Sequence, residues 1–142
     1  VPLLFKFASQ PAFAQDKLIL FLKSQEGQPG SYVDEVIFAL DSKTGAMVWS
    51  YQLSQELSSE LIVPRVTDQA VTFYKICNLG YKILVNFVSL ETATGTPSDA
   101  QVASIVSGDS LLAIDNYYLQ KDKLILKLRD KRSQRIKFSA FQ

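Results

Sequence analysis

The sequence predicts an all-β chain of short antiparallel strands grouped in fours, and three observations carry that expectation. Apolar residues recur in brief runs, many with a period of two, and none extends into a stretch that reads as a helix. Turn-forming clusters of Gly, Asn, Asp, Thr and Pro separate these runs at close spacing. One turn with its flanking strands then returns in degenerate form fifty positions later, Ala39–Gly45 reappearing as Ser89–Gly95.

The strands are read at about 3–8, 17–23, 34–41, 46–53, 61–67, 69–76, 81–91, 99–106, 110–119, 123–130 and 134–141. Turn signals fall at Gln25–Gly30, Thr67-Asp68-Gln69, Asn78-Leu79-Gly80, Thr94–Pro97, Gly108-Asp109 and Gln120-Lys121-Asp122. The Val36–Leu40 run is apolar on both alternating faces, which predicts a strand covered on both sides. Met47, Trp49, Tyr51 and Leu53 are expected to share one face of the strand that follows. Between these two strands the side chain of Asp41 can accept from backbone N–H groups just ahead. Thr44 can cap the same loop, and Gly45 can take the positive φ that closes it.

The pattern A-x-D-x-x-T-G-x-x-x-W, matched at Ala39, Asp41, Thr44, Gly45 and Trp49, resembles the tryptophan-docking repeat of the pyrroloquinoline-quinone-like β-propellers. The resemblance implies four-stranded blades, in which Trp49 docks on the neighbouring sheet and its ring N–H finds a backbone acceptor. The second copy departs from the family pattern, with Ser89 for Ala39, Glu91 for Asp41 and Asp99 where Trp49 would align. In a third unit Lys131-Arg132-Ser133-Gln134 stands where a T-G turn would fall, with no fourth strand after it. Asp16–Leu20 returns almost intact as Asp122–Leu126, which predicts the same place within the repeat for both. The chain is therefore divided into blade one at 1–54, blade two at 55–107 and an incomplete blade three at 108–142. Propellers close with about four to eight blades, so the open faces await either further blades or identical chains arranged around an axis. The alternative is a single antiparallel barrel or sandwich.

Composition narrows the chemistry. A chain of 142 residues with 47% apolar side chains can bury a sizeable core. Cys77 is the single cysteine, read as a buried and inert thiol. Histidine is absent, which removes Ser-His-Asp, Cys-His and histidine-ligated zinc chemistry. Asp34-Glu35 point to opposite faces of a strand, Asp109 and Asp115 stand alone, and no D-x-D-x-D-G loop is present. The glycines form no phosphate-binding motif. Complete quinoprotein dehydrogenases of the resembling family carry a quinone, a calcium ion and an acidic base, yet none of these is expected here, and the chain is read as non-enzymatic without a cofactor. Ala12-Phe13-Ala14 before Gln15 resembles a signal-peptidase site, but Lys6 interrupts the apolar segment, and Val1–Gln15 is read as strand plus loop.

Charge is nearly balanced overall but uneven: residues 1–120 carry 7 basic and 12 acidic side chains, and residues 121–142 carry 8 and 2. Lys123, Lys127 and Arg129 alternate with Leu124, Leu126 and Leu128, predicting a hairpin oily on one face and cationic on the other. With Lys131, Arg132, Arg135 and Lys137 they form a candidate patch for an anionic partner, set against the plainer reading of a solvated edge strand. Aromatic interleaving is too sparse for a nucleic-acid platform, and a membrane surface has only weak support. Of Tyr117-Tyr118, one ring is expected inside and the other in water.

Three functions are expected in descending order. The first is a non-catalytic scaffold that holds a protein partner or the remaining blades of a larger propeller. The second is a small-ligand module, for example for carbohydrate, in a ring of several copies; the third is a fragment of a quinoprotein oxidoreductase. Members of the resembling family include extracytoplasmic assembly factors, which leans the expected compartment that way.

Overall fold

A computed structural model describes residues 5–24, 35–53, 61–106, 111–121 and 123–141. The readings at Val1–Leu4, Gln25–Gly30, Asp34, Gly108-Asp109 and Asp122 lie outside those residues. The described chain is all-β and its strands fall into three antiparallel sheets. The first sheet holds β1 (Phe5–Phe7), β2 (Ala12–Ala14), β3 (Lys17–Ser24), β4 (Glu35–Asp41) and β5 (Met47–Gln52). Its order is β1-β3-β4-β5, with β2 also on β3, so β1 and β2 together make one interrupted edge. Ala12-Phe13-Ala14 is thus a strand, one more than the sequence predicts. The second sheet runs in order through β6 (Leu61–Val66), β7 (Ala70–Asn78), β8 (Lys82–Glu91) and β9 (Pro97–Val106). The third holds β10 (Leu112–Gln120), β11 (Lys123–Asp130) and β12 (Ile136–Phe141). No sheet among the described residues closes into a barrel.

The second sheet is the middle layer, because strand alternation sends its apolar side chains both ways. Val71, Phe73 and Leu90 join Ile19, Phe21, Ile37, Ala39 and Trp49 in one core, where Phe21 and Phe73 meet edge to face with ring centroids 6.0 Å apart. Tyr74, Ile76, Ile83 and Val85 join Leu112, Leu124, Leu126 and Leu128 in the other. Cys77 is buried in β7. The oily row of the β11 hairpin is the inward one, Leu124, Leu126 and Leu128 each at 0% exposure.

The outer face of the first sheet differs from the sequence expectation. Val36, Phe38 and Leu40 are half-buried rather than covered, although Ile37 and Ala39 opposite them are fully buried. A bulge also separates Met47 from Trp49. Ala39 pairs with Trp49 but Leu40 pairs with Met47, which sends Met47 to the outer side, 55% exposed, while Trp49 stays inside. The same slip recurs in the second sheet, where Ser89 pairs with Asp99 and Leu90 with Pro97, so Asp99 occupies the position of Trp49.

Turns fix how the sheets align. Gln15 and Asp16, at φ +53° and +58°, close a two-residue hairpin between β2 and β3 that suits the strand twist. Ser42 N–H donates to Asp16 O at 2.9 Å, and at the equivalent place Thr92 N–H donates to Gln69 O at 3.2 Å. Gln15 N–H reaches Asp68 Oδ1 at 3.2 Å, so these ends of the first two sheets lie together. At the other end of the second sheet Leu112 N–H donates to Gly80 O at 3.0 Å, and Asn78 Nδ2 donates to Leu112 O at 2.9 Å. The order β10-β11-β12 therefore follows β6-β7-β8, and Lys17–Leu20 and Lys123–Leu126 do hold the same place in their sheets. One expectation needs correction: Lys131–Gln134 lies at the Gly80 end, opposite the Thr44-Gly45 and Thr94-Gly95 turns. Local turn chemistry can recur at either end of a sheet, which is why the sequence misplaces it.

Candidate functional site

Three turns are built alike. Asp41 Oδ1 accepts from Lys43 N–H at 2.8 Å and Thr44 N–H at 3.0 Å, Gly45 N–H donates to Asp41 O at 2.8 Å, and Ala46 N–H donates to Thr44 Oγ1 at 3.2 Å. In the second turn Gly95 N–H donates to Glu91 O at 2.7 Å and Thr96 N–H to Thr94 Oγ1 at 3.3 Å. The third repeats the first with Asp130, Ser133 and Gln134, whose φ of +62° takes the place of glycine. The backbone donors of Thr44 and then Lys43 hold the Asp41 carboxyl below its ordinary value, since they stabilise only the charged form; the Thr44 hydroxyl and the Lys43 charge add to this.

The indole of Trp49 joins the first sheet to the second. It is 8% exposed, and its Nε1–H donates to Thr92 O at 2.8 Å. Its ring lies flat against Gly95, where an added Cβ would sit 2.5 Å from Cδ2 and 2.6 Å from Cε3. Gly95 is thus required twice, for its φ of +73° and for the absence of a side chain. Gly45, at φ +75°, meets nothing within 4 Å. Thr92 is the knot below the ring: fully buried, it also donates through Oγ1 to Thr67 O at 2.8 Å. Of the residues singled out in the sequence, Ala39 packs under Trp49 as its cross-strand partner, whereas Asp41, Thr44 and Gly45 form the turn at the head of that strand. Gly95 and Thr92 as the seat of the ring were not recognised in the sequence. The fifty-residue repeat was the available signal, because it sets turn against turn.

A buried ion pair crosses the same seam. Lys75 Nζ lies 3.2 Å from Glu35 Oε1, with side chains 2% and 0% exposed. Each sits on the face of its strand that looks at the other sheet, Lys75 in register with Val71 and Phe73, Glu35 with Ile37 and Ala39. Sequence reading assigned Glu35 no partner, since a residue forty positions away cannot be inferred from strand alternation.

The basic segment is divided by the fold. Lys127 and Arg129 point away from the second sheet, Lys123 at the start of β11 lies at the edge of the space between the two sheets, and Arg129 Nε is 3.1 Å from Asp115 Oδ1 in a partly exposed pair. Lys131, Arg132 and Arg135 are exposed on the third turn, and Lys137 is exposed on β12 opposite Leu128, on the inward side of the sheet. Tyr117 and Tyr118 are 39% and 43% exposed, so neither ring is buried, because β10 is an edge strand and its side chains are covered on one flank only.

A groove lies between the second and third sheets, reaching from β6 and β7 across to β9. One part, of about 470 Å³, is lined by Arg65, Tyr74, Phe87, Asp99 and Lys121 among others. The adjoining part, of about 440 Å³, is lined by Val85, Phe87, Gln101, Ala103, Lys123 and Phe141. Asp99 stands here where the first sheet presents Trp49, so this seam has no indole to fill it. Among the described residues no cluster of three or more Cys, Asp or Glu is placed to hold a metal ion. In comparisons with known proteins, no family model and no curated protein matches the chain.

Proposed function

We propose that this chain is a set of blades from a tryptophan-docking β-propeller and serves as a non-catalytic scaffold for another protein. The observation that carries the reading is the outer face of the first sheet. Leu18, Leu20, Leu22, Val36, Phe38 and Leu40 lie there side by side and half-buried, with Phe7 and Phe13 on the flank at 59% and 73% exposure. A contiguous apolar face of this kind marks a protein contact in a folded chain. The blade reading is supported by meander sheets stacked face to face and by an indole lodged on the turn of the next sheet.

Light scattering of the purified chain, combined with a hydrophobic dye such as bis-ANS, tests the reading. A monomer that binds dye, and loses that binding in a Leu20→Lys/Phe38→Lys variant with an unchanged β spectrum, supports it. A trimer or tetramer would instead favour a self-assembled ring that binds a small ligand, and quinone-dependent reduction of a redox dye would overturn the scaffold in favour of an oxidoreductase.

A further inference from the structure

We propose that one end of the molecule, formed by the β7–β8 and β11–β12 turns, binds a bilayer surface that carries anionic lipid headgroups. The inference goes beyond the scaffold reading and makes no use of the outer face of the first sheet. The two turns lie side by side because Leu111-Leu112 runs between them. Leu112 N–H donates to Gly80 O at 3.0 Å, Lys131 N–H donates to Leu111 O at 2.9 Å, and a Cβ on Gly80 would sit 3.3 Å from Leu111 Cδ2. Their tips present Leu79 and Tyr81, 43% and 47% exposed, beside Lys82, Lys131, Arg132 and Arg135, all four exposed.

Turn chemistry does not account for these cations. The β11–β12 turn is held by Asp130 Oδ1, Ser133 Oγ and backbone groups, so the side chains of Lys131, Arg132 and Arg135 are not needed to close it. In the matching turn of the first sheet their places are taken by Ser42, Lys43 and Ala46, and in that of the second by Thr92, Ala93 and Thr96. Among the described residues the one acid beside the two tips is Asp130, whose Oδ1 already accepts from Arg132 and Ser133 N–H at 2.8 and 3.0 Å. The opposite end, with the Asp41–Gly45 and Glu91–Gly95 turns, is of mixed charge: Asp16, Asp41, Asp68 and Glu91 stand there with Lys17, Lys43 and Lys121. Cations near an anionic bilayer add their attractions, while a tyrosine and a leucine at the same level enter the headgroup layer. A single ring is too little for a nucleic-acid stacking platform, and two turn tips offer an acidic peptide neither a groove nor a strand edge.

Sedimentation with sucrose-loaded phosphatidylcholine vesicles containing about 30% phosphatidylserine, in about 0.1 M salt, tests the proposal. Binding should saturate with lipid, fall at least tenfold in about 0.5 M salt and be absent from pure phosphatidylcholine. Lys131→Gln/Arg132→Gln should bind at least about tenfold more weakly, and Leu79→Ser/Tyr81→Ser at least about threefold. Lys17→Gln/Lys43→Gln, which removes the same charge from the opposite end, should stay within about twofold of wild type. An unchanged emission of Trp49 reports that each variant is folded; should the Leu79→Ser/Tyr81→Ser variant fail that check, Leu79→Ser alone replaces it, with a loss of about twofold expected. Brominated acyl chains should quench part of the emission of a Tyr81→Trp variant and none of wild type, whose indole sits at the Gly95 end. Absence of binding at millimolar lipid, equal binding to pure phosphatidylcholine, equal losses in the two charge variants, or quenching of Trp49 itself would each overturn the proposal. Binding of polyglutamate or duplex DNA with none to vesicles would also overturn it, and would assign the cations to an acidic protein or a nucleic acid.

Discussion

Glycine substitution at two equivalent turns isolates the docking of Trp49. Gly45 and Gly95 have nearly the same φ, +75° and +73°, but only Gly95 lies under the indole. Gly45→Ala should cost only the left-handed strain of an alanine, ~1–2 kcal/mol. Gly95→Ala carries that strain and also drives a methyl to 2.5 Å from Cδ2 of the ring. Forcing the ring aside adds about 1–3 kcal/mol, as overpacking does elsewhere. Trp49→Ala should itself cost roughly 3–5 kcal/mol, and in that background the two glycine substitutions should become equal. Chemical denaturation of the six proteins, wild type and both glycine variants with and without the indole, supplies the cycle. The emission of Trp49, the single tryptophan, reports its environment in the three that keep it. Equal costs of the two glycine variants in the wild-type background would refute the seat, as would a difference that survives removal of the ring.

Further expectations concern the seam, the first turn and the surface. Trp49→Phe keeps much of the apolar contact but leaves Thr92 O without its donor at 2.8 Å, and should cost about 1–3 kcal/mol by thermal or urea unfolding. Lys75→Met removes the cation beside the buried Glu35 carboxylate and should cost about 3–5 kcal/mol, while Glu35→Leu with Lys75→Met together should recover most of it; a double variant whose cost equals the sum of the two single costs would show that the pair acts independently. Asp41 has a folded-state pKa below its ordinary value, so its contribution is complete above the unfolded carboxylate range and is lost as pH falls through the folded value. Asp41→Asn should therefore flatten the loss of stability below about pH 4, measured as the urea midpoint between pH 6 and 2. The partly exposed Arg129–Asp115 pair should show a coupling below about 1 kcal/mol in a double-mutant cycle, shrinking further in 1 M salt.

Much of the local structure was legible in the sequence. Period-two alternation placed Leu124, Leu126 and Leu128 inside, and Asp41, Thr44 and Gly45 specify their turn through contacts no more than five residues apart. Tyr117 and Tyr118 were misjudged because alternation tells which face a ring is on but not whether anything covers it. Met47 was misjudged because one bulge reverses every alternation beyond it.

By itself the sequence determined the strands and the turn chemistry, since both follow from backbone preferences and neighbouring side chains. Only the tertiary structure decided which turn faces which sheet. The ring of Trp49 needs Gly95, and Lys75 needs Glu35, from strands forty or more residues apart, so their pairing is set by how the sheets align. The same alignment leaves the outer row around Phe38 only half-buried, because burial depends on what another layer supplies rather than on the residue alone.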